Sequence, residues 1–212
     1  MNCMNSKIRM IRTGALGVCS ALLLVLGTEA WGEGTAAADA TAEVSEVMKQ
    51  VLEISGDQDL DAATRRSRIE QLAMERFAWT TMSRLVLARN WRKLSDPQQK
   101  EFVDAFRQHL AVVYGRRLEK MGDETIEVSP GRVASNGDVT VRTTIHGGQA
   151  DGVVIAYRLR DTDGEWKVID VIIEGVSLVS NFRSQMNQIA NNSGADSVIE
   201  KLREKNEAQA SD

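Results

Sequence analysis

The spacing of apolar residues changes period twice along this chain, and that change constrains the fold more than any single motif. Up to Gly122 the apolar residues recur at helical spacing, from Ile126 to Ile173 they largely alternate, and from Leu178 the helical spacing returns. Helices, then strands joined by tight turns, then helices again describe an α+β domain rather than alternating β-α-β units. The 212 residues suit one domain, or at most two small ones.

Val44, Val47, Met48, Val51 and Leu52 mark a first helix, which Gly56 ends. Asp57 to Asp61 reads as the cap region of a second helix carrying Ile69, Leu72 and Phe77, and Trp79 to Leu87 as a short third. Ser95 and Gln98 form a capping box, with Pro97 tolerated in the first turn. That box opens the longest helix, with Phe102, Phe106, Leu110, Val113 and Tyr114 on one face. Ile126 to Val133 is an edge or bulged strand, because Pro130-Gly131 interrupts it. Asn136-Gly137, Gly147-Gly148 and Asp161 to Gly164 supply the turns of a meander of about four strands. The last, Trp166 to Ile173, is apolar on both faces. So few strands cannot close a barrel, so the sheet curls and helices or something else must cover its concave face. Leu178, Phe182, Met186 and Ile189 line the next helix, Ser193-Gly194 breaks it, and Val198, Ile199 and Leu202 mark a short final one.

Lys7, Arg9 and Arg12 precede an uncharged apolar run from Gly14 to Leu26, the pattern of a secretory signal peptide too short to span a bilayer comfortably. The expected organisation is a signal peptide over 1–30 with cleavage after Ala30, a flexible leader over 31–42, an α+β domain over 43–205 and a disordered tail over 206–212. Cleavage removes three bases and one acid, making the remainder two units more negative than the full chain's -4. Such an acidic chain lacks the basic footprint of a nucleic-acid binder, so nucleic acid is not expected as a partner. Both cysteines, Cys3 and Cys19, leave as well, so the exported product has no disulfide and no thiol chemistry.

No catalytic constellation stands out. The two histidines, His109 on the long helix and His146 at a hairpin tip, share no motif. Asp57 to Asp61 starts like a calcium loop, but Ala62 stands where that loop needs Gly and Arg68 where it needs Glu, so a helix cap is the reading. Gly175-Val176-Ser177-Leu178-Val179 lacks the second Gly of a nucleophile elbow, and Ser177 reads as an N-cap. Asp170 sits inside an apolar strand and is expected to be a buried carboxylate holding a turn or an Arg. The basic clusters at Arg65-Arg66-Arg68, Arg89-Arg92-Lys93 and Arg116-Arg117 are solvated helix faces by default, with anionic headgroups or a partner protein as the functional alternative.

The stretch from Trp166 through Asp170 and Glu174-Gly175-Val176-Ser177-Leu178-Val179 to Asn181-Phe182-Arg183-Ser184-Gln185 resembles the signature of the MlaC-like family, the toluene-tolerance auxiliary proteins of the Mla system. Leu85 to Trp91 resembles the family's short Leu-Gly-x-x-Trp region, with Ala88-Arg89 where a Gly is common. Ser95, Gln98, Gln99, Phe102 and Phe106 resemble its long helix, and Ala195 to Ile199 with Leu202 its closing helix. The resemblance covers about residues 44 to 205. It implies a curved sheet backed by helices, of NTF2/cystatin-like shape, around an apolar cavity for phospholipid acyl chains. It implies a periplasmic shuttle between an outer-membrane lipoprotein complex and an inner-membrane ABC transporter with an MCE-domain component, maintaining outer-membrane lipid asymmetry.

The empty catalytic inventory agrees with carriage. Two acyl chains hold on the order of 30 methylenes, each worth about 0.8 kcal/mol in water, so an aqueous carrier needs an apolar hollow and no nucleophile, metal or cofactor. The candidate lipid contacts are Val139, Val141, Val153, Ile155, Tyr157, Ile169 and Val171 from the sheet, and Leu85, Phe106, Leu110 and Tyr114 from the helices. The expected product is a monomer with phospholipid as its cargo. The alternative is an exported NTF2-like enzyme on a small apolar substrate, with Asp170 and Tyr157 as its polar pair, and a third is a non-catalytic scaffold with a solid core.

Overall fold

A computed structural model describes residues 29–118 and 124–210, with side chains over 34–113 and 124–208. The signal segment lies outside the described residues apart from its last two positions. Among the described residues the helices are α1 (Glu29–Gly56), α2 (Ala62–Arg76), α3 (Trp79–Leu87), α4 (Asp96–Leu118), α5 (Leu178–Ser193) and α6 (Ser197–Ala210). The strands are β1 (Thr125–Val128), β2 (Arg132–Val133), β3 (Val139–His146), β4 (Val154–Thr162), β5 (Glu165–Ile173) and β6 (Val176–Ser177). They form one antiparallel sheet in the order β1-β3-β4-β5-β6, with β2 also on β3. The expected α+β class holds. The meander of about four strands gains two short ones, because Pro130-Gly131 splits the first and the Glu174-Gly175 turn returns β6 onto β5.

The local chemistry terminates these elements where the sequence says it should. Asp61 caps α2 by accepting from the Thr64 amide at 2.7 Å. The Ser95 amide donates to Gln98 Oε1 at 2.9 Å, closing the capping box of α4. Ser177 caps α5 by accepting from the Ser180 amide at 3.0 Å, and Gly194 ends it. Asp163 and Gly164, both at positive φ, make the two-residue turn between β4 and β5.

Two expectations about the chain ends are corrected. Residues 31–42, expected as a flexible leader, are helix within α1, where Ala40 is fully buried and Ala36 packs against the core. The contact that fixes this is distant in sequence. The Gly131 amide donates to Thr41 Oγ1 at 2.8 Å, and a Cβ on Gly131 would stand 2.8 Å from Val139 Cγ1 and 3.0 Å from the Ala37 carbonyl. Gly131 therefore interrupts the strand and also lets α1 approach the sheet. Residues 206–210, expected as part of a disordered tail, continue α6. Asn206 is buried there because it bridges two helices: its Nδ2 donates to the Ala105 carbonyl at 2.9 Å and its Oδ1 meets His109 Nδ1 at 2.6 Å.

The main core joins the sheet to α3, α4, α5 and α6 and contains Met82, Val86, Phe106, Val141, Leu159, Phe182 and Leu202. Phe106 stacks on Phe102 at 5.9 Å and meets Phe182 edge-on at 5.3 Å. α1 packs on β1, β2 and β3, α2 lies against α1, and both approach β5. The helical hairpin of α1 and α2 covers the sheet beside the main core, with α2 packed on α4 and Ala40 and Val44 of α1 joining the core itself. No helix among the described residues is long and apolar enough to cross a membrane.

Candidate functional site: an apolar cavity under the helical hairpin

α1 and α2 each present an apolar row at spacing i, i+3, i+4, i+7. On α1 the row is Val44, Val47, Met48 and Val51, and on α2 Ile69, Leu72 and Ala73 lead to Arg76. Below them the alternation of the strands sends Thr143 and Ile145 of β3 and Ile155, Tyr157 and Leu159 of β4 to one face. The register sets Thr143 opposite Ile155 and Ile126 opposite Ile145, so the floor is a continuous aliphatic patch. Thr140, Arg142, Arg158 and Arg160 alternate onto the other face. Between the two layers lies a cavity of about 140 Å³, lined as well by Phe77, Trp166 and Val168. Its polar lining groups include Tyr157, Thr143, and Glu43 and Arg76 at one edge.

Tyr157 is a polar group in this wall. Its hydroxyl donates toward Met48 Sδ at 3.6 Å, and burial pushes its pKa up to about 12, so the phenol is neutral and acts as an amphipathic wall residue. At the rim Arg76 Nη1 holds Glu43 Oε1 at 2.6 Å and ties α2 to α1.

Of the eleven residues expected to contact lipid, Ile155 and Tyr157 line the cavity. Val139, Val141 and Val171 share the floor's face, opposite the lining residues Leu159 and Tyr157, but are buried in the main core and do not line the cavity. Ile169 is fully buried as the extra residue of a bulge, because Arg158 pairs with Asp170 and Leu159 with Val168. Val153 is half-buried just before β4. Leu85 is half-buried on α3, and Phe106 and Leu110 are in the solid core around α4. The Tyr114 side chain lies outside the described residues. Sequence reasoning missed Val47, Met48, Val51, Ile69 and Leu72 as a lining. Their signal was present in the two consecutive apolar rows, but an apolar row looks the same over a core as over a hollow.

The catalytic alternative loses its proposed pair. Asp170 faces away from Tyr157 and is saturated: it accepts from Ser177 Oγ at 2.6 Å, from the Val179 amide at 3.1 Å and from Arg158 Nη2 at 3.1 Å. The physical reason is strand alternation, which sets Arg158 against Asp170 and Tyr157 against Val171. The carboxylate holds β4, β5 and the start of α5 together, as expected for a structural group. His109 is likewise structural. Because Asn206 Nδ2 is committed to a carbonyl, its Oδ1 accepts and His109 Nδ1 donates. Burial lowers the histidine's pKa from its ordinary value.

The family model described as MlaC protein matches residues 42–204 of this chain. The chain belongs to the MlaC family. It is 28% identical over 105 residues to the toluene tolerance protein ttg2D of Pseudomonas putida, covering 50% of this chain and 49% of that protein. It is 26% identical over 125 residues to the intermembrane phospholipid transport system binding protein MlaC of Haemophilus influenzae, covering 56% of this chain and 58% of that one. The aligned stretches thus span about half the length of these curated relatives. A phospholipid-binding protein from Ralstonia solanacearum, solved in complex with a phospholipid, superposes with a TM-score of 0.72 at 27% identity, covering 81% of this chain and 99% of that structure. The family expected from the sequence and the α+β architecture are therefore both found.

Proposed function

We propose that this protein is a phospholipid carrier whose acyl-chain site is the cavity between the α1–α2 hairpin and the sheet. The observation that carries the reading is the apolar hollow itself: two helical rows face a strand floor and leave space between them. Membership of the MlaC family and likeness to a protein solved with phospholipid support the same reading. The physical requirement is simple, since about 0.8 kcal/mol per methylene makes bare acyl chains insoluble and an apolar sleeve replaces the bilayer.

The cavity is small for such a guest. A hollow of about 150 Å³ admits a benzene-sized guest, so 140 Å³ holds only part of one chain. Loading therefore requires the α1–α2 hairpin to move off the floor. As it does, Val139, Val141 and Val171 extend the floor in the direction of the main core, and we assign them the chain's further contacts. The remaining candidates, Val153, Ile169, Leu85, Phe106, Leu110 and Tyr114, then act as support or as deeper contacts.

On this reading the protein works in the periplasm after export, receives or delivers lipid at an outer-membrane lipoprotein complex and at an inner-membrane MCE-domain ABC transporter, and helps to maintain outer-membrane lipid asymmetry. It works without a cofactor and performs no catalysis. The test is direct. Protein purified from cells is extracted with organic solvent and the extract weighed by mass spectrometry. About one phospholipid per chain is expected from a single acyl-chain site. Protein that is empty and also takes no lipid from vesicles overturns the proposal.

A further inference from the structure

The apolar cavity does not end in solvent alone. Glu43, Arg76 and Trp166 belong both to its rim and to a second, polar pocket of about 400 Å³ lined by Asp39, Glu75, Glu165 and Lys167. A guest whose tails lie under the hairpin therefore has a polar compartment at the point where its tails would end.

That compartment is a built arrangement of both charge signs. Arg76 uses Nη1 for Glu43, while its Nε is buried and, among the described residues, has no acceptor. Such a donor costs free energy unless an acceptor reaches it, and a phosphate oxygen is one that could. Lys167 Nζ is steered by the Glu75 carbonyl at 2.8 Å and by Glu165 Oε2 at 2.7 Å, so it is held at the pocket wall. Asp39, Glu43, Glu75 and Glu165 outnumber these two cations. Glu165 is ionised, because Lys167 and then Arg76 hold its carboxyl below the ordinary range.

We infer that this pocket is a headgroup subsite fitted to a zwitterionic phospholipid that bears a primary amine: the phosphodiester meets Arg76 and Lys167, and the ammonium meets Glu165 and Asp39. The inference rests on the carrier reading and deepens it. A phosphodiester alone finds two cations already neutralised by neighbours. A headgroup that also brings a positive charge replaces one cation in that network, whereas a net-anionic headgroup adds repulsion to an acidic mouth.

The full chain is incubated with vesicles of equal parts phosphatidylethanolamine and phosphatidylglycerol with matched oleoyl chains, re-isolated, and its bound lipid quantified by mass spectrometry. The expected result is an excess of phosphatidylethanolamine of about 3-fold, the ratio that one exposed ion pair of ordinary strength supplies. Glu165→Lys, at the exposed start of β5, brings the ratio to one or below by lowering phosphatidylethanolamine uptake while phosphatidylglycerol uptake does not fall. Lys167→Gln lowers uptake of both lipids, since both carry the phosphate. Equal uptake by the unaltered chain, or an ethanolamine preference that survives Glu165→Lys, overturns the headgroup subsite while leaving carriage intact. No uptake of either lipid overturns carriage and the subsite with it.

Discussion

The sheet supports two kinds of cover, and they differ in what fills the space beneath them. Around α4, α5 and α6, Phe102, Phe106 and Phe182 interlock and leave a solid core. Under α1 and α2, aliphatic rows face an aliphatic floor and leave a cavity. Hydrophobic residue types are shared between the two regions, so hydrophobicity alone does not decide which becomes a core and which a site. Rings of the right size, meeting edge and face, fill one gap, whereas short branched side chains on two straight rows do not fill the other. On the proposed carrier reading, the first region keeps the sheet's shape and the second is the part that moves.

One substitution in each region tests whether the two differ in packing. Leu110→Ala, in the solid core, is expected to cost about 4 kcal/mol, near the upper part of the range for a well-packed leucine, whereas Leu72→Ala, beside the cavity, costs about 2 kcal/mol because part of its surface has no partner to lose. Urea unfolding of lipid-free protein measures both. Equal costs would show that the hairpin is packed as tightly as the core. Asp170→Asn comes next, at about 2 to 3 kcal/mol, because it replaces a charged acceptor of three bonds. Lipid uptake per folded molecule stays unchanged, which separates a body residue from a site residue.

Two smaller effects sharpen the rigid side. Ala88 sits at φ 49 and ψ -120, a region where an L side chain is strained by about 1 to 3 kcal/mol. The resemblance to the family places a Gly in this region, and the structure shows the reason. Ala88→Gly is expected to stabilise by about 1 kcal/mol net of glycine's greater unfolded entropy, read as a raised melting temperature. The smallest effect is the pH dependence set by His109. Its folded pKa lies below its unfolded value of about 6.5, so the unfolded chain binds the extra proton first. Its stabilising contribution is complete above that unfolded value and is lost as pH falls from there through the folded pKa. Urea midpoints measured across this window drop toward acid, and His109→Gln flattens the His109 component of that drop. An unchanged slope in the variant would remove His109 as the cause.

Much of the architecture was legible because it is local. Ser95 with Gln98, Asp61, Ser177 and Gly194 start and stop helices through bonds within a few residues. The Asp161–Gly164 turn and the alternation on β3 and β4 are equally short-range. The structural role of Asp170 was legible too, since a lone carboxylate in an apolar strand requires partners. What the sequence did not disclose depends on residues far apart. The docking of residues 31–42 on the sheet uses Gly131, 90 positions from Thr41, and the burial of Asn206 uses Ala105 and His109. The cavity lining went unread for the same reason: the α1 and α2 rows become a wall only when set against Ile126, Ile145 and Ile155.

The sequence by itself therefore determined the order and type of the elements, their caps and turns, the apolar faces and the MlaC family, because each is written in spacings of a few residues. The tertiary structure decided where the hollow lies, because an apolar face is satisfied equally by a neighbour or by a guest. Only the distance between α1–α2 and the strand floor distinguishes the two, and that distance is set by packing across the whole domain.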